Sequence, residues 1–140
     1  MTENQRAQFF AMRKSMDKFV EKIADSATEI NENMAAIRPW MPGVYVPGDV
    51  RMYEGTPYKC VQAHDCTNIA SWTPTEASAL WAQYHGTSKE TARAYVAPTG
   101  AHDMYKVDEY MIWTDGAVYR CVVDTVYSPV DYAQAWAKVE

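Results

Sequence analysis

The chain has 140 residues, with 13 Lys or Arg against 18 Asp or Glu and a formal net charge of −5; that length suits one ordinary domain or several very small ones. The charge is unevenly spread: residues 1–38 hold six of each sign, so the seven bases and twelve acids that remain make the rest of the chain acidic and a poor match for phosphate backbones. No apolar run approaches the ~20 residues of a membrane span, and the polar start Met1-Thr2-Glu3-Asn4 lacks the basic-then-apolar order of a secretory signal. The expected partners therefore include neither nucleic acid nor membrane, and synthesis in a cytosol is expected.

Phe9, Met16, Ile23, Ile30 and Ile37 recur every seven residues, the a series of a heptad repeat. Met12, Phe19, Ser26 and Asn33 follow three residues after the first four of these, giving a d series that is apolar in its first half and polar in its second. Pro39 disfavours helical geometry at its predecessor, so one helix is predicted to stop near Arg38, a rod of roughly 50 Å. Val20, Ala27 and Met34 add an apolar e row, which widens the stripe beyond a strict seam and favours a homotrimer over a dimer. The expected oligomerisation residues are Phe9, Met12, Met16, Phe19, Ile23, Ile30, Asn33 and Ile37, with Ser26 and Asn33 fixing register. The alternative is an amphipathic helix folded back onto the rest of the chain.

Beyond Pro39 the sequence repeats. Tyr45 aligns with Tyr105, Gly48-Asp49 with Asp108-Glu109, Tyr53 with Trp113, and Gly55 with Gly116. Tyr58-Lys59-Cys60-Val61 aligns with Tyr119-Arg120-Cys121-Val122, and Pro74 and Trp81 with Pro129 and Trp136 across a loop six residues shorter. Such repetition means two copies of one supersecondary unit. Alternation in Val50–Tyr53 and Tyr58–Gln62 suits half-buried strands, and Glu54-Gly55-Thr56-Pro57 supplies the turn between them. At about 45 residues per copy, aromatic side chains must fill the core. Tyr45, Tyr58, Trp81, Tyr105, Tyr119 and Trp136 are assigned to it. The predicted fold class is thus α+β: a coiled-coil helix over 1–38, a β module over 39–85, a linker over 86–97 read from its small polar residues, and a degenerate second β module over 98–140.

Cys60, Cys66 and Cys121 form an odd set, and cytosolic synthesis favours thiols. Cys60, His64 and Cys66 lie close in sequence but match no zinc spacing. No metal and no cofactor is expected. His102-Asp103, Asp108-Glu109 and Asp131 read as loop and turn residues. No phosphate-cradling glycine loop or hydrolase signature occurs, so no catalytic residue is assigned.

The order Trp40, Tyr45, Gly48-Asp49, Tyr53, Gly55, Tyr58, Pro74, Trp81 resembles the chitin-binding type 3 modules, the carbohydrate-binding modules of families 5 and 12. "YKCVQAH", "WTP" and "ALW" are similar to the version found in small bacteriophage tail-associated proteins. The resemblance covers 40–84 well and 98–140 more loosely, where no counterpart of Trp72 is assigned. It implies a mostly antiparallel β-fold and polysaccharide binding through exposed aromatics. The tryptophan pair that sugar-binding members carry after the second strand is replaced here by Cys60–Cys66. The candidate glycan-binding residues are therefore Trp40, Tyr53, Trp72, Trp113 and Tyr127. The expected protein is a non-enzymatic phage virion component made in a bacterial cytoplasm, a trimeric tail-associated appendage that meets a cell-surface polysaccharide or another virion protein. The alternative is a head or neck fibre, decoration or connector whose modules are structural.

Overall fold

The computed structural model describes residues 2–140. Helix α1 (Glu3–Ile23) begins in a capping box: the Thr2 hydroxyl accepts from the Gln5 amide at 3.1 Å, and the Gln5 side chain accepts from the Thr2 amide at 2.8 Å. The helix does not continue to Arg38. It ends at Ala24, and Ser26 restarts it, its hydroxyl accepting from the Glu29 amide at 3.2 Å to cap a short α2 (Ala27–Glu32). A single 3₁₀ turn, Met34–Ala36, follows. Heptad spacing places Ser26 in a coiled-coil seam, but a serine at that place offers the backbone a competing local bond, and the chain turns there.

The turn folds the second half of the heptad stripe inward. Ile30 and Ile37 join Val20, Ile23 and Ala24 in a core completed by Val50 and Tyr84 of the β region. The stripe is thus divided: its second half folds back onto the chain's own β region, and only its first half stays exposed. Polar contacts hold the fold-back. Asp17 pairs with Arg13 and Arg38, each at 2.8 Å, Arg13 Nη2 donates to the Ala36 carbonyl at 2.6 Å, and Asn31 Nδ2 donates to the carbonyls of Ala27 and His85.

Strands β1 (Val44–Tyr45), β2 (Val50–Tyr53), β3 (Thr56–Cys60), β4 (His64–Asp65) and β5 (Trp81–Gln83) build the first module. β1 pairs with β4, and β2-β3-β5 form an antiparallel sheet with Tyr53 opposite Thr56 and Cys60 opposite Trp81. The β2–β3 hairpin turns on Glu54 and Gly55, both at positive φ (48° and 79°), the conformation that tight hairpins require and that glycine adopts without cost. Tyr45, Tyr58, Cys60, Cys66 and Trp81 form the core, the Tyr45 ring meeting Trp81 edge-on at 4.9 Å.

The second module repeats the central hairpin and its aromatic closure. β6 (Arg93–Ala94), β7 (Tyr110–Ile112), β8 (Val118–Cys121) and β9 (Trp136–Val139) form one sheet, antiparallel except for β6 against β7. Cys121 lies opposite Trp136 as Cys60 does opposite Trp81, and Tyr105 meets Trp136 edge-on at 5.1 Å. Each cysteine thiol donates to the carbonyl two residues on, Gln62 or Val123. The expected α+β architecture, a long N-terminal helix followed by small antiparallel sheets, is therefore observed.

The segment expected to be a linker, 86–97, contains β6. Tyr95 donates its amide to Ile112 as Trp40 does to Met52, and the amides of Val96 and Met41 each lie 3.3 Å from the hydroxyl of the module's buried tyrosine, Tyr105 or Tyr45. Arg93-Ala94-Tyr95 is thus the counterpart of Arg38-Pro39-Trp40. Eight residues separate Tyr95 from Met104 where three separate Trp40 from Val44 in the first module, and this insertion hides the match from alignment.

The two modules touch directly. His85 stacks on Tyr105 at 3.7 Å, Tyr110 donates its amide to Gly86 at 2.8 Å, and His102 Nε2 donates to the Ser78 carbonyl at 2.8 Å. Gly86 is required by close approach, since a Cβ there would lie 2.5 Å from the Thr91 carbonyl oxygen. Arg93, without a carboxylate partner among the described residues, donates to Asn31 Oδ1 at 2.8 Å and to the Tyr84 carbonyl, tying α2 to both modules.

Candidate functional site

Trp72 stands on the loop between β4 and β5. Its amide donates to Ile69 O at 3.1 Å, and the Thr73 hydroxyl and carbonyl accept from the amides of Glu76 and Ala77 in the turn that follows. Buried Pro74 anchors this turn to the module, and the Trp72 ring stays 40 % exposed, outside the core cluster. The other candidates divide. Trp40 and Tyr53 are half-buried, packed edge-on at 5.9 Å against the core. Trp113 is half-buried against Tyr95 at 5.1 Å. Tyr127 is 57 % exposed and lies outside the second core. Trp72 and Tyr127 are thus the candidates that packing leaves free.

Tyr127 is also the counterpart of Trp72, contrary to the expectation that the second copy has none. Each stands two residues before a matched proline, Pro74 or Pro129. In each turn the next hydroxyl, Thr73 or Ser128, accepts from the amide three residues on at 3.2 Å, and its carbonyl accepts from the amide four residues on at 2.8 Å. Tyr95 was missed because its segment read as linker. Its signal was the Arg-x-aromatic triplet shared with Arg38-Pro39-Trp40.

After β3, where the resemblance places a tryptophan pair, His64 turns inward. Its Nδ1 donates to the Gln62 carbonyl at 2.8 Å, and its ring lies 5.6 Å from both Tyr45 and Trp81. Asp65 accepts from the amide and hydroxyl of Thr67, so this stretch is a closed turn and no platform. Cys60, Cys66 and Cys121 are buried free thiols. Burial pushes the Cys60 thiol up and that of Cys121 to about 11, which leaves both protonated and poor nucleophiles at neutral pH.

The expected oligomerisation residues also separate. Phe9, Met12 and Phe19 are 48, 55 and 42 % exposed, and Met16 is half-buried between them. Ile23, Ile30 and Ile37 are buried in the chain's own core and are unavailable to a bundle. Asn33 is turned to local use, its Nδ2 donating to Glu29 O at 2.8 Å. Of the e row, Val20 is buried and Ala27 packs on the same core, so the wide stripe that favoured three strands is consumed by intramolecular packing.

A polar cleft of 280 Å³ lies where the α1–α2 turn meets both modules, lined by Asp25, Lys59, Tyr84, His85, His102 and Glu109, among others. His85 is 5 % exposed. Its Nε2 donates to the Asp103 carbonyl at 2.9 Å and its Nδ1 is buried without a partner among the described residues, which suits a neutral ring. Burial, aided by the nearby Arg93 charge, holds its pKa down to about 4. Glu109 is pushed the other way, to about 7, chiefly by burial and against the pull of the Lys106 amide and ammonium. A histidine with a lowered folded-state pKa loses stability as pH falls below its unfolded value of 6.5. A carboxyl with a raised one loses stability as pH rises above 4.5. Between these values the two slopes oppose each other. The wild-type stability is expected to be nearly flat from pH 4.5 to 6.5, whereas Glu109→Gln should lose about 2 kcal/mol on going from 6.5 down to 4.5 as the His85 contribution is uncovered. Urea midpoints across that range decide it; a variant as flat as the wild type would remove the opposition.

Residues 39–82 match the family described as carbohydrate-binding module family 5/12. The match ends before the second module begins. No curated protein matches the chain. Residues 39–82 are thus supported as a carbohydrate-binding module.

Proposed function

We propose that the protein is a non-enzymatic structural component of a bacteriophage particle, a tail-associated appendage that self-associates through the exposed half of α1 and presents its β modules to a polysaccharide on the host surface. The family match over 39–82 together with an exposed, backbone-anchored Trp72 carries the binding part of this reading. An exposed indole stacks on the C–H face of a pyranose, and nearby polar groups take the hydroxyls. The phage context rests on the resemblance of Tyr58–His64, Trp72–Pro74 and Ala79–Trp81 to tail-associated versions of the module. The acidic surface points to a neutral glycan over a sulfated or uronic one.

A second reading, a fibre or connector inside the particle whose modules only pack against other virion proteins, draws on the inward His64 and the half-buried Trp40, Tyr53 and Trp113. The two separate on one experiment. Trp72→Ala is expected to keep the wild-type melting temperature, because the ring lies outside the core, and to lower retention on an immobilised polysaccharide at least tenfold. Wild-type protein silent on a panel of neutral bacterial and β-linked glycans would favour the connector.

A further inference from the structure

The family match stops at residue 82, yet the second module keeps the architecture that presents Trp72. We infer that residues 93–139 form a second polysaccharide-binding unit, with Tyr127 as its platform, held in fixed relation to the first so that one chain grips a neutral polymer at two points. This rests on the reading that the first module binds polysaccharide.

The case for Tyr127 is that its exposure is built in. Its amide donates to Thr125 Oγ1 at 2.9 Å, and its carbonyl accepts from Trp136 Nε1 at 3.1 Å. Both backbone polar groups are therefore tied to the module, one of them to the central core tryptophan, while the ring remains 57 % exposed. Val123 and Val130, close in sequence on either side, are 43 and 77 % exposed. A large aromatic and two valines left in water beside a packed core are characteristic of a surface that meets an apolar partner face. The charged neighbours in sequence, Asp124 and Asp131, are both acidic, with Asp124 paired to Lys106 at 3.8 Å and Asp131 left as the negative charge nearest the ring in sequence. Together these match a flat, uncharged sugar ring and disfavour an anionic one.

The fixed relation follows from the contacts between modules. The His85–Tyr105 stack, the Gly86–Tyr110 bridge and the His102–Ser78 hydrogen bond leave no free spacer between them. Two weak sites held rigidly on one chain convert to avidity only on a ligand long enough to reach both. Short oligosaccharides should then report two independent sites, and long polymers one tight attachment.

The test is calorimetric titration of the full chain with cellohexaose and with chitohexaose, alongside retention on the matching insoluble polymer. The wild type is expected to take up two oligosaccharides per chain. Tyr127→Ala and Trp72→Ala should each reduce this to one with an unchanged melting temperature, and each should weaken retention on the polymer at least tenfold, with Tyr127→Phe restoring both. One site per chain that Trp72→Ala removes and Tyr127→Ala leaves intact overturns the inference and preserves the reading of the first module. A single site lost in either variant overturns it as well, by showing one shared surface. Wild-type protein that takes up neither oligosaccharide removes the inference together with the reading beneath it.

Discussion

Replacing Trp81 with alanine is expected to cost about 3–5 kcal/mol, the range for truncating a fully buried large aromatic, and to unfold the first module. Trp81 is 1 % exposed. It stands at the end of the β2-β3-β5 sheet opposite Cys60, with Tyr45 edge-on at 4.9 Å and His64 at 5.6 Å. So small a core has few other large side chains to collapse into the cavity, and the loss is comparable to the whole stability of many domains. Urea unfolding followed by tryptophan fluorescence and far-ultraviolet dichroism measures it. A shift worth less than about 1 kcal/mol would mean that the neighbouring rings close the gap.

A milder pair of variants makes the same argument finer. The Trp81 indole N–H is buried without a partner among the described residues, whereas Trp136 donates its own to the Tyr127 carbonyl. Trp81→Phe removes an unsatisfied donor along with ring volume, so it should cost less than Trp136→Phe, which gives up a bond.

The second large effect concerns assembly. Phe9→Asp combined with Phe19→Asp is expected to abolish self-association while leaving the melting temperature of the modules in place. Phe9, Met12, Met16 and Phe19 follow heptad spacing along α1; Phe9, Met12 and Phe19 are exposed with Met16 half-buried among them, and Phe10 beside them is 68 % exposed. Burying a phenylalanine is worth about 1.5–3 kcal/mol, gained in every chain of a bundle. An isolated helix of this length is marginal, but α1 is capped by Thr2 at one end and its last turn is packed through Val20 and Ile23 at the other. Light scattering at micromolar concentration reads both the effect and the number of chains. Monomeric wild-type protein would end the proposal of self-association and leave the apolar face to a different partner protein.

Much of this molecule was legible before its structure. The β hairpins follow from alternation around Glu54-Gly55 and Gly116, and the repeat follows from matched tyrosines, cysteines and tryptophans whose roles are local and periodic. The placement of Tyr45, Trp81, Tyr105 and Trp136 in two cores needed only their recurrence, because modules so small have nothing else to fill them. The exposed heptads around Phe9 to Phe19 were equally plain as a pattern.

What the tertiary structure decided is where long-range packing chose between patterns that the sequence allows equally. Ile23, Ile30 and Ile37 continue the heptad faithfully, yet they pack inward, because Ser26 caps a new helix and Val50 and Tyr84, distant in sequence, offer an apolar surface within the same chain. Arg93-Ala94-Tyr95 looked like spacer until its backbone paired with β7, since a two-residue parallel strand has no periodicity to announce it. The exposure of Trp72 and Tyr127, and the burial of Trp40 and Trp113 against their neighbours, depend on which ring each core can accommodate. Residue identity records hydrophobicity, but only the assembled fold determines which aromatic faces water.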